Sequence, residues 1–61
     1  MDKKEIVLNL LKENKILSTG KIAYLISSNQ YSTMDLLREL EKEGKIKKEE
    51  QRRGTYWSLK K

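Results

Sequence analysis

In this chain of 61 residues, the side chains with recognition chemistry fall on two stretches. Gln30, Tyr31, Ser32, Asp35, Arg38 and Lys42 lie close together with Met34 among them, and Lys45, Lys47, Arg52 and Arg53 follow. A glutamine amide donates and accepts at once and can pair with the edge of adenine; an arginine fork can pair with guanine or with a phosphate. Asp35 only accepts, either from a cytosine amino group or from Arg38, three residues on along a helix. Met34 either touches a thymine methyl or completes an apolar core. The lysines and the Arg52-Arg53 pair suit phosphate oxygens, contacts that set register rather than sequence.

Reactive chemistry is scarce. The chain has neither cysteine nor histidine, so thiolate and imidazole catalysis and a structural zinc are not expected. An enzyme would need lysine, tyrosine or paired carboxylates in a cleft. The nearby acids Glu39, Glu41 and Glu43 read instead as a solvated helix flank, and nothing resembles a phosphate-cradling glycine loop. No enzyme activity, cofactor, metal or small-molecule ligand is expected.

Charge placement adds a second signal. Residues 1–43 carry seven basic and seven acidic side chains, whereas residues 44–61 carry seven basic and two acidic, so the whole net charge of +5 sits in the last third. A localised basic excess favours a polyanion, most often nucleic acid; a merely solvated surface is the competing reading. Eleven lysines and seven glutamates dominate the charged set, a bias shared by hyperthermophile proteins and by AT-rich genomes. The start lacks the apolar run of a signal peptide, and no stretch reaches the ~20 apolar residues of a membrane helix. A cytoplasmic protein is expected.

Three helices and a hairpin must position these residues, in a single domain over residues 1–61. The first helix is expected over about 2–14, opened by Asp2 with Glu5 three positions on. Ile6, Val7, Leu8, Leu10 and Leu11 cover a wide arc of its wheel. Val7, Leu8 and Leu11 form one stripe; Ile6 and Leu10 form another, which either meets the hairpin or makes a homodimer seam. Ile16-Leu17-Ser18 suits a strand of one bridge. Ser18 or Thr19 caps a second helix, expected over about 19–27, with Ile22, Leu25 and Ile26 as its apolar stripe and Tyr24 pointing away. The third helix is expected over about 30–43, with Thr33, Leu36, Leu37 and Leu40 facing the core. Its cap is either Asn29 or Ser32, and Gly44 suits a left-handed C-terminal cap. Beyond Gly44 the apolar period changes to two, with strands expected at about 45–50 and 54–59 around Gln51-Arg52-Arg53-Gly54. Ile46, Trp57 and Leu59 then face the core.

Helix, short strand, helix, turn, helix, hairpin: in this order the sequence resembles a winged helix-turn-helix domain of the α+β class, and the resemblance covers nearly the whole chain. It is carried by Ile22-Ala23, Leu25-Ile26, Leu36-Leu37 and the string Leu40-Glu41-Lys42-Glu43-Gly44-Lys45-Ile46. That string is similar to the helix-to-wing junction of small bacterial and archaeal regulators, including MarR-like, ArsR-like and archaeal viral ones. Gly54-Thr55-Tyr56-Trp57-Ser58-Leu59 resembles their second wing strand. Ser28 and Thr33 depart from the pattern, standing where an apolar residue is common. Binders of Z-form nucleic acid share the junction and a wing tryptophan. Their pattern has Asn and Tyr where this chain has Met34 and Arg38, and wing prolines that this chain lacks.

The resemblance implies sequence-specific binding of double-stranded DNA and transcription regulation, with the third helix in the major groove and the wing on the adjacent minor groove or on phosphates. The competing implication is a winged-helix module that binds protein and not DNA. A chain this short leaves no room for a ligand-sensing domain, so regulation is expected from concentration or partners.

Overall fold

The computed structural model describes residues 2–60. Helices α1 (Lys3–Glu13), α2 (Thr19–Leu25) and α3 (Gln30–Lys42) and strands β1 (Leu17–Ser18), β2 (Ile46–Gln51) and β3 (Gly54–Leu59) follow in the order α1, β1, α2, α3, β2, β3. This is the winged helix-turn-helix arrangement. No helix among the described residues is long and apolar enough to cross a membrane.

Side-chain caps start all three helices, because the first-turn N–H groups have no partner within the helix. Asp2 accepts from the Lys4 N–H, Ser18 from Lys21 and Asn29 from Ser32, the last at 2.7 Å. Asn29 is therefore the cap of α3, and Ser32 lies within the first turn.

Helices α2 and α3 end alike. Gly44 takes φ +77°, its N–H donates to the Glu41 carbonyl at 3.0 Å, and the Lys45 N–H donates to Leu40 at 3.1 Å. In α2 the same two bonds run from Ser27 to Tyr24 and from Ser28 to Ala23, at 3.2 and 2.9 Å. Ser27 holds φ +56° without being glycine. This left-handed turn stops α2 at Leu25, two residues short of the expected Ser27. The remaining boundaries differ from expectation by a residue: α1 starts one later and ends one earlier than read, α3 ends at Lys42, and β2 runs from Ile46 to Gln51.

The sheet has three strands in the order β1-β3-β2, all antiparallel, with β3 central. Leu17 pairs with Trp57 and Ser18 with Tyr56; Ile46 pairs with Leu59, Lys48 with Trp57 and Gln51 with Gly54. Residues opposite one another share a face, so Ile46, Trp57 and Leu59 point one way, while Lys47, Ser58 and Tyr56 point the other.

One core joins all the elements: Val7 and Leu11 of α1, Leu17 of β1, Ile22, Ala23 and Ile26 around α2, Leu37 and Leu40 of α3, Ile46 and Trp57. Ile6, Leu8, Leu10, Met34, Leu36 and Leu59 pack on it half-buried. Leu25, read as part of the α2 stripe, is 40% exposed, and Ala23 takes its place at 5%. A side chain of one carbon lets another element approach α2 closely on that side.

Polar pairs close two seams. The Trp57 indole N–H donates to Thr19 Oγ1 at 2.8 Å, and Thr19 Oγ1 donates to the Thr55 carbonyl at 3.2 Å. Thr19 thus ties the start of α2 to the wing rather than capping its own helix. Lys4 Nζ of α1 lies 2.8 Å from Glu43 and 3.3 Å from Glu39, at the end of α3. Glu39 and Glu43 are exposed, as expected of a solvated flank, and also link α1 to α3.

Candidate nucleic-acid interface

The outer side of α3 is built by the same periodicity that buries Thr33, Leu37 and Leu40. Burying those three turns Gln30, Tyr31, Asp35 and Arg38 outward, all exposed, and Tyr31 stands 88% free. These four and Met34 line a shallow hollow of about 420 Å³. Met34 both packs on the core and reaches this surface. Asp35 and Arg38 form no ion pair, in contrast to the pairing expected of them at that spacing; among the described residues the ion pairs involve Lys4, Lys45 and Lys48.

A second hollow, of about 360 Å³, adjoins the first. Gln30 and Met34 line both; Thr19, Arg53, Gly54 and Thr55 are among its other walls. It lies where the starts of α2 and α3 meet the tip of the hairpin. Arg52 and Arg53 form the two-residue loop between the paired Gln51 and Gly54. Gly54 takes the left-handed geometry, φ +142°, so neither arginine has to adopt it. The Thr19 hydroxyl, through Trp57 and Thr55, fixes the wing beside α2.

The remaining predicted residues lie apart from these hollows. Ser32 is exposed in the first turn of α3, and Lys42 is exposed in its last, about 15 Å further along the axis at 1.5 Å per residue. Lys45 Nζ sits 3.3 Å from Glu43. Lys47 lies on the outer face of β2, in a hollow shared with α1. Ile6 and Leu10, read as either a hairpin contact or a dimer seam, pack half-buried on the core.

Hydrogen bonds to Glu43 and Glu39 raise the Lys4 ammonium above its ordinary range. Bonds from Lys4, then Lys45, lower the Glu43 carboxyl below the usual glutamate range.

The chain is similar to solved structures of three proteins. Reduced HlyU from Vibrio cholerae superposes with a TM-score of 0.91 at 18% identity, over 100% of this chain and 63% of that one. The adhesin competence repressor AdcR of Streptococcus pyogenes gives 0.88 at 20% identity, over 100% and 47%. A cysteine-to-serine mutant of ZitR from Lactococcus lactis gives 0.84 at 26% identity, over 97% and 42%. This chain thus spans between 42% and 63% of the length of these structures. They share its winged-helix fold. No curated protein matches the chain. The FaeA-like protein family matches residues 3–61, almost the full length, and the chain belongs to that family.

Proposed function

We propose that this protein binds double-stranded DNA sequence-specifically as a transcriptional regulator. Helix α3 lies in the major groove, and the wing tip lies on the adjacent minor groove or its phosphates. The observation that carries this reading is the continuity of the two hollows: Gln30 and Met34 belong to both, so one surface runs from Arg53 at the wing tip to Arg38 on α3. A major groove admits one helix, and a narrow minor groove attracts arginine. Gln30, Tyr31, Ser32, Met34 and Asp35 meet base edges; Asp35, free of Arg38, accepts from a cytosine amino group. Arg38, Lys42, Lys45, Arg52 and Arg53 supply charge to phosphates. Support comes also from the repressor name of the matched AdcR. Paired half-sites would require a dimer, with Ile6 and Leu10 as its seam.

The test is anisotropy of a labelled duplex across a salt series. Five phosphate contacts give a log–log slope of about −4.5, and Arg52→Ala/Arg53→Ala lowers it to about −2.7. Absence of salt-dependent binding by the wild type would refute the reading and leave a protein-binding module. A double variant with an unchanged slope would remove the wing from the interface.

A further inference from the structure

A third hollow shares no residue with the two above. It measures about 750 Å³ and opens between the end of α1 and the base of the hairpin. Its floor is apolar, from Leu11, which is buried, and Leu59, which is half-buried. Four lysines stand around it, Lys12, Lys15, Lys47 and Lys60, and no acidic residue lines it.

Lys4, Lys45 and Lys48 each lie within ion-pair distance of a glutamate. Among the described residues, none of the four around the hollow has such a partner. Four uncompensated ammonium groups repel one another, and a bound anion relieves that repulsion. The hollow lies away from the hairpin-tip arginines of the proposed DNA face. The Lys47–Ser58 pair lies four register steps from the Gln51–Gly54 pair at the hairpin tip, about 13 Å at the rise of a strand.

We propose that this hollow docks an acidic segment of a partner protein, which seats an apolar side chain on Leu11 and Leu59 while its carboxylates meet the four lysines. The shape selects this occupant over a second stretch of DNA. A concave site with an apolar floor suits a protruding apolar side chain flanked by acids, whereas a duplex backbone presents phosphates and sugars with no such side chain. Acidic partners gain encounter rate and orientation from such a field. The two faces let the protein hold its partner and its proposed DNA site together.

The test is a nitrogen-15 amide titration of the whole protein with a synthetic helical peptide bearing leucines at i and i+4 and glutamates around them. Shifts are expected at Leu11, Lys12, Lys47 and Leu59, and not at Tyr31 or Arg38. Lys12→Glu/Lys47→Glu should weaken binding at least about tenfold by replacing attraction with repulsion. Lys3→Glu/Lys21→Glu carries the same net charge and should change binding less than about threefold, since its sites lie beyond a Debye length or on another face. The proposal is overturned if the peptide leaves these amides unmoved, or if both double variants weaken binding equally. It also falls if a peptide with serines for leucines binds as tightly, or if duplex DNA moves these amides and the peptide does not.

Discussion

Replacing Thr19 with valine keeps the shape of the side chain and removes its hydroxyl. The Trp57 indole N–H then loses its 2.8 Å acceptor. Trp57 is fully buried, at 0% exposure, so water cannot take the acceptor's place. A buried donor left without a partner costs about 1–3 kcal/mol. With the indole sealed, about 2 kcal/mol is the expected loss. Thr55, whose carbonyl also loses a donor, is only half-buried, so water can replace that bond and it adds little. A domain of this length holds about 3–9 kcal/mol in all, so the loss is a large share. The unfolding entropy is about 0.13 kcal/mol/K, which puts the fall in Tm at about 15 °C. Thermal melts followed by far-ultraviolet circular dichroism, with urea titrations beside them, measure it. Trp57 is the sole tryptophan, so its emission reports the same unfolding transition from within the core. Thr19→Ser keeps the hydroxyl and should retain most of the stability. Thr19→Val within about 0.5 kcal/mol of wild type, the scatter of an ordinary surface substitution, would refute the assigned role of the hydroxyl.

Two other perturbations have definite signs. Thr33 is wholly buried and its Oγ1 has no hydrogen-bond partner, so Thr33→Val should stabilise the protein by about 1 kcal/mol, raising Tm by about 8 °C; an unchanged or lowered Tm would show that the hydroxyl is satisfied. The Lys4–Glu43 clamp stabilises between two pH limits. Glu43 is depressed in the folded state, so its contribution holds above the ordinary glutamate range and is lost as pH falls through the lowered value; Lys4 is raised, so its contribution is lost as pH climbs through the raised value. The stability gap between wild type and Lys4→Met should therefore close at both ends of a urea-against-pH series, and narrow in high salt because the pair is exposed. A gap independent of pH would exclude the clamp.

Elements set by local chemistry were legible in the sequence. Asn29 offers a cap oxygen and Gly44 a cheap left-handed turn, so α3 is bounded by its own residues. The alternation of Thr55, Trp57 and Leu59 gives the hairpin its inward face. What escaped depends on distance in the chain. Thr19 and Trp57 are 38 residues apart, and Lys4 and Glu43 are 39; no spacing rule connects such pairs. One signal existed for the first: a tryptophan on a core face needs an acceptor for its N–H, though not which one. Leu25 lies outside the core because Ala23 admits a closer neighbour, a choice made by packing rather than by hydrophobic period. Ser27 ends α2 in a conformation usually given to glycine, so the helix was read as longer. On the candidate face, the identity of the outward residues of α3 followed from the buried ones. The absence of an Asp35–Arg38 pair and the separation of Lys47 from α3 depend on side-chain placement and register, which composition does not encode.

The central place of β3 has a consequence for how the protein is made. This strand meets α1, α2, β1 and β2, yet it is translated after all of them. A nascent chain that has reached Gln51 possesses every helix but lacks Trp57, the largest fully buried side chain of the core. Leu17 waits for a mate forty residues downstream. Domains fold as units during synthesis, and this one acquires its closing piece near the end of residues 2–60. Stalled or truncated products should therefore be open, apolar and quickly degraded, while chains that have passed β3 become protected in a single cooperative step.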